Sequence, residues 1–349
     1  MDASGFSDQP DHEPAPLRPE FYLQAAERLI DATGPMARQA AQRLIDAGPD
    51  SGISFAHAFA TIDPDVHAVR ELAIAVPAPG RSALVFLSRP NAGETRSQER
   101  AACARALTSH LAGLPGQPFD IAQSLPGSNE RWAVDALTDA RWQIVGTLAY
   151  MRRPVGPQDA PKPSVLRGRQ PQRELPDGVE VEPISIPDPG SPRHEDLVEA
   201  LNDSYSDTLD CPALCGMRRT SDILASHAAI GRPELALWSI VSHEGRPAGA
   251  MLLACLPEQR CYELVYIGLG PSLRGRGLGE SLLESAIEQI AARLKRAPRS
   301  GRWSLTCAVD TANAPAVRLY ERVGFMSFDR RVACVHGLDR VLSTGALES

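Results

Sequence analysis

The sequence predicts a mixed α/β chain, in the α+β sense, built from two tandem domains. Three observations carry this expectation. Strand-like and helix-like segments alternate cleanly over residues 178–337, a fainter copy of that alternation runs over 19–153, and a proline-rich stretch, 154–177, separates them. A length of 349 residues exceeds what one ordinary core holds. Hydrophobic residues at 43% and charged residues at 23% are the values of a folded chain.

The second half reads as follows. "GVEVEPI" (178–184) is strand-like, and "HEDLVEALNDSY" (194–205) has the three-to-four-residue apolar spacing of a helix. "TSDILASHAAI" (220–230) opens on a cap-like Thr and predicts a second helix. "LALWSIVS" and "PAGAMLLACL" flank "HEGR", a hairpin signal, and "YELVYIGL" (262–269) is a further strand. In "GESLLESAIEQIAARLKR" (279–296), Leu282, Leu283, Ala286, Ile287, Ile290 and Leu294 share one helical face. "RWSLTCAV" predicts a strand, "APAVRLYERVG" a short helix ended by Gly324, and "FMSFDRRVACV" a last strand. The first half fits the same template. "SALVFLSRP" (82–90) matches "YELVYIGLGP", and "WAVDALTDARWQIVGTLAYMRR" (132–153) can be laid on "PAVRLYERVGFMSFDRRVACVH" (315–336), with Trp142 opposite Phe325. The first copy has Leu137 where the second has Tyr320, and "NAGETRSQER" where the second has a glycine loop, so it reads as a degenerate repeat. Residues 1–18, acidic and proline-rich, and 338–349 are expected to be tails.

Composition excludes several classes of function. A net charge of −7 argues against nucleic acid as a partner. No run approaches the ~18 apolar residues of a membrane span, and the N-terminus has no apolar signal-peptide core, so a cytoplasmic protein is expected. Seven scattered cysteines, mostly inside apolar runs, read as reduced buried thiols. Neither they nor the eight histidines stand at metal-ligand spacing, so no metal is expected. A monomer or a homodimer fits equally well.

"LRGRGLGESLL" (273–283) is the most informative stretch. A loop between a strand and a helix start turns successive N–H groups into one concavity, where the helix dipole adds about half a positive charge. Gly275, Gly277 and Gly279 keep side chains out of the way, so the expected ligand is a phosphate or pyrophosphate. The spacing G-x-G-x-G departs from the dinucleotide fingerprint, and Glu280 follows where a P-loop has Lys.

Arg274-x-x-Gly277-x-Gly279, following a strand and Pro271, resembles the pyrophosphate loop of the GCN5-related N-acetyltransferase (GNAT) family. Asn313, 34 residues beyond Gly279, opens "NAPAVRLYERVGF", which resembles the family's second signature through Asn313, Ala316, Leu319–Tyr320 and Gly324–Phe325. The resemblance covers about residues 178–337, and the tandem arrangement is similar to that of mycothiol synthase-like members. It implies in each half a mixed, mostly antiparallel sheet flanked by helices. It also implies acetyl-CoA as cosubstrate, its pyrophosphate held by Arg274, Gly275, Arg276, Gly277, Leu278, Gly279 and Glu280. The pantetheine arm would run along Ile267, Gly268 and Leu269 as an added strand, with Asn313, Ala316 and Tyr320 completing the cofactor site.

The implied reaction is acetyl transfer to a primary amine of a small molecule or peptide, by direct attack in a ternary complex. In the family a tyrosine at the position of Tyr320 commonly acts as the acid for the leaving thiolate, although Tyr320 also sits where a core aromatic would. Glu263, eleven residues before Arg274, is similarly spaced to the glutamate base of histone-acetyltransferase-like members. It can equally hold a cationic acceptor, and ordered water can take the amine proton instead. The acceptor pocket is expected in "SYSDTLDCPALCGMRRT" (204–220), where Tyr205, Asp207, Asp210 and Arg218 carry both signs of charge. A non-catalytic acetyl-CoA sensor or scaffold and a protein N-terminal acetyltransferase are the alternatives.

Overall fold

The computed structural model describes residues 12–30, 34–49, 52–91, 96–160, 175–296 and 301–338. Most of the predicted tails and of the proline-rich stretch lie outside the described residues. The chain runs β1 (Ala15–Pro16), α1 (Tyr22–Leu29), α2 (Pro35–Ala47), β2 (Ala58–Asp63), β3 (Ala68–Ala78), β4 (Ser82–Leu87), α3 (Ser97–Ala112), β5 (Ile121–Ser124), α4 (Arg131–Asp139) and β6 (Gln143–Val155). It continues through β7 (Val179–Ile184), α5 (Pro192–Tyr205), α6 (Thr220–Ala228), β8 (Leu237–His243), β9 (Arg246–Leu256), β10 (Cys261–Leu269), α7 (Leu278–Arg296), β11 (Trp303–Asp310), α8 (Ala314–Arg322) and β12 (Met326–Gly337). Both halves therefore spell one order: strand, two helices, three strands, helix, strand, helix, strand.

Two compact units divide these elements, residues 1–145 with 332–349, and residues 146–331. In the first, β1 to β4 are antiparallel neighbours, β4 runs parallel to β5, and the end of β12 pairs antiparallel with β5 over Cys334–Gly337. In the second, β7 to β10 are antiparallel, β10 runs parallel to β11, and β6 pairs antiparallel with β11 over eight residues, from Leu148 to Val155. The final strand of each repeat thus serves the other unit. Division at the proline-rich stretch, into 19–153 and 178–337, does not capture this, because a strand's alternation fixes which face it buries and not which neighbour it pairs with.

Local chemistry explains the elements that carry the site. Ser191 caps α5, its Oγ accepting from His194 N at 3.3 Å, with Pro192 in the first turn. Asn313 caps α8 in the same way, accepting from Ala316 N at 3.2 Å, and Gly324 follows the helix at φ +92°. Glu244 and Gly245, both at positive φ, close the β8–β9 hairpin. The second unit has one core layer on each sheet face. The six predicted α7 positions, Leu282 to Leu294, are all buried with Tyr262, Leu264, Leu305 and Cys307. On the opposite face Leu197, Ala200 and Leu201 of α5 pack with Trp238, Ile240 and Leu252. At roughly 1.5–3 kcal/mol for each large aliphatic side chain, these two layers dominate the unit's stability. In the first unit α3 and α4 cover one layer, through Leu107, Leu111 and Leu137, and α1 covers the other. Six of the seven cysteines are buried free thiols and Cys215 is exposed.

Candidate active site

The parallel strands β10 and β11 pair from Cys261–Ser304 to Leu264–Cys307 and then separate. A register shift between Leu264 and Tyr266 marks a bulge in β10 at that point. Beyond it Ile267, Gly268 and Leu269 stay paired with Met251, Ala250 and Gly249 of β9, while β11 continues with β6 to Asp310. The separation opens a V-shaped cleft, and the predicted pantetheine residues line the β10 side of it.

At the end of β10 the chain turns into the glycine loop. Gly275 and Gly277 have φ of +73° and +77° with open space where a side chain would start, so these two are required by backbone conformation. Gly279 differs: a Cβ there would stand 3.0 Å from Leu319 Cδ2, so it permits close approach of α8 to α7. Among the described residues, the five N–H groups from Gly275 to Gly279 donate to no protein acceptor, whereas those of Glu280 and Ser281 bond Gly277 O. These five donors stand at the start of the 19-residue α7. Beside them an open cavity of about 350 Å³ is lined by Arg276, Gly277, Leu278, Glu280 and Ser281.

The Arg274 side chain is engaged within the protein. Its guanidinium donates to the carbonyls of Leu269 (2.9 Å), Asp207 (3.2 Å), Ser204 (2.9 Å) and Ser206 (2.7 Å). It thereby satisfies carbonyls at the C-terminal end of α5 and ties that helix to the end of β10. Gly270 sits in the same junction, where a Cβ would lie 1.7 Å from Asp203 Oδ2.

Tyr320 is buried on α8 against Phe325, with ring centroids 5.5 Å apart. Burial holds its phenol well above the ordinary range, and Cys307, Asp210 and Tyr266 add to the effect. Tyr205 is the last residue of α5, and Asp210 comes from the α5–α6 loop. Its Oδ1 accepts from Asp310 N at 2.8 Å, and burial followed by the Asp310 charge raises its carboxyl above the ordinary range. Asp207 is exposed at φ +52°, and Arg218 donates to Asp222 O and Ser226 Oγ on α6. Of the four predicted acceptor residues, the structure brings Tyr205 and Asp210 toward the cluster, and commits the Asp207 carbonyl and the Arg218 side chain elsewhere. Glu263 stands on β10 just before the bulge, opposite Thr306; burial raises its carboxyl, and no cation pairs with it among the described residues.

Sequence reasoning missed two residues. Tyr266 shares a 2.5 Å hydrogen bond between its hydroxyl and Ser204 Oγ, and burial pushes it up to about 12. His227 of α6 lies 5.9 Å from the Tyr266 ring and is held down at about 4 by burial and by Arg218. The available signal was Gly268, since a side chain there would collide with the Tyr266 hydroxyl.

Residues 196–325 match the Acetyltransferase (GNAT) family. A 66-residue stretch is 35% identical to mycothiol acetyltransferases of Mycobacterium avium (strain 104) and Mycolicibacterium paratuberculosis (strain ATCC BAA-968 / K-10). It covers 19% of this chain and 21% of theirs, so the match spans about a fifth of the length of these relatives. Over 91% of the chain and 90% of the other, the fold is similar to a GCN5-related N-acetyltransferase from Sphaerobacter thermophilus, with 17% identity and a TM-score of 0.51. The matched segment, 196–325, takes in both the glycine loop and the run that opens at Asn313.

Proposed function

We propose that the second unit moves an acetyl group from acetyl-CoA to a primary amine of a small molecule or peptide, by direct attack in a ternary complex. The observation that carries this reading is the set of five amides from Gly275 to Gly279 that donate to no protein acceptor among the described residues, placed where the cleft between β10 and β11 opens. Such a nest fits a diphosphate, and the dipole of α7 favours the charge. The amides and carbonyls of β10 beyond the bulge fit an amide-bearing arm laid along the strand. Acetyl-CoA supplies the thioester.

The residues of this chain would then divide the proton work. Tyr320, kept neutral by burial, holds a proton to deliver to the departing sulfur. Glu263 or Asp210, both raised by burial, accepts the proton the amine gives up.

Calorimetric titration with acetyl-CoA and a thiol-release assay against a panel of amines test this. Tyr320→Phe is expected to lower kcat on the order of 100-fold while leaving the Kd for acetyl-CoA within about twofold. Absence of binding heat from the unmodified protein overturns the reading. Binding without thiol release for any amine assigns the chain to sensing instead.

A further inference from the structure

Glu263 on β10, Thr306 on β11 and Arg152 on β6 are successive register partners, so their side chains stand in one row on one sheet face. This is the face opposite the α7 core, since Leu264, Leu305 and Met151 next to them in sequence are buried there. Arg152 is exposed and Glu263 half-buried. Neither has an ion-pair partner among the described residues. Two strand spacings put their Cα atoms about 10 Å apart, too far to pair with each other. Arg152 is held in place by an aromatic floor: its guanidinium lies 5.2 Å from the centroid of Phe328, and Phe328 meets the Tyr150 ring edge-on at 6.4 Å. Phe328 remains 53% exposed.

We infer that this row is the acceptor subsite, and that it selects an amine bearing an anionic group about 7–10 Å away, the reach of two or three extended residues. The inference rests on the acetyl-transfer reading and names its substrate class. The cationic amine lies at Glu263, one residue before β10 and β11 separate. The carboxylate lies at Arg152, whose planar fork suits bidentate recognition, and the acceptor's body lies over Phe328 and Tyr150. Short peptides with a free C-terminal carboxylate meet these demands. Thr306 lies between the two charges; its hydroxyl donates to Tyr262 O at 3.4 Å, which leaves its oxygen to accept from the intervening peptide N–H.

The test compares dipeptides and tripeptides carrying free carboxylates with the same peptides amidated at the C-terminus, using the full chain. The unmodified protein is expected to acetylate the free acids with kcat/KM at least tenfold above the amides. Arg152→Gln should abolish that preference by slowing the acids alone, Arg152→Lys should retain part of it, and the thermal midpoint should not move. Equal rates on acids and amides, or a uniform fall in Arg152→Gln, overturn the inference while leaving acetyl transfer standing. Saturation-transfer NMR of the same peptides without coenzyme gives a readout independent of turnover. If acids and amides bind the protein equally there, and Arg152→Gln changes nothing, the inference fails whatever the assay reports.

Discussion

Gly277 and Gly270 have different reasons for being glycine, and the difference is measurable. At Gly277 the cost of a side chain is conformational, since φ is +77° and the space is open. Gly277→Ala is expected to lower unfolding free energy by roughly 1–2 kcal/mol and to weaken acetyl-CoA binding in calorimetry. At Gly270 the obstacle is steric, with Asp203 Oδ2 1.7 Å and Ala248 O 3.0 Å from the added carbon, so Gly270→Ala should give the lower melting temperature of the two. His227 carries a pH prediction. Its folded value, about 4, lies below its ordinary 6.5, so the unfolded chain binds the extra proton between those values. Its contribution to stability is therefore complete above pH 6.5 and is lost as pH falls toward 4, on the order of 3 kcal/mol. Urea titrations at pH 7 and pH 4.5 should show His227→Phe losing less stability on acidification than the unmodified chain. The glycines were legible in the sequence because their spacing is unusual. His227 was not, because a histidine in a helical pattern says nothing about what closes over it.

At the scale of elements, two charged clusters tie the fold together. The Arg274 side chain bonds four carbonyls and fastens α5 to the end of β10. In the first unit Arg100 of α3 is 2% exposed and Glu71 of β3 is 0% exposed, joined at 2.8 Å. Arg28 also pairs with Glu71, at 3.3 Å, so Arg100→Met leaves that carboxylate one of its two cations and should cost about 1–3 kcal/mol by chemical denaturation. Helix positions and caps were readable: the apolar face of α7, Asn313 before α8 and Gly324 after it all follow from local spacing and backbone chemistry.

On the scale of the whole molecule, the exchanged strands make a prediction about fragments. A piece beginning at residue 178 lacks β6, which pairs with β11 over eight residues in the second unit. That piece is expected to show little cooperative unfolding by circular dichroism alone, and to regain it when coexpressed with residues 1–177. Independent folding of the piece would show that β6 is dispensable to that sheet.

The order of elements, the duplicated plan, the amphipathic helix and the glycine loop were determined by the sequence alone, because each depends on chemistry within a few residues of itself. Only the tertiary structure decided that β10 and β11 separate after Leu264 and Cys307, that Asp210 is buried near Tyr320, and that Glu263, Thr306 and Arg152 share a row. These relations join residues up to 154 positions apart, from Arg152 to Thr306. Strand pairing and side-chain burial create them, and neither leaves a periodic mark on the chain.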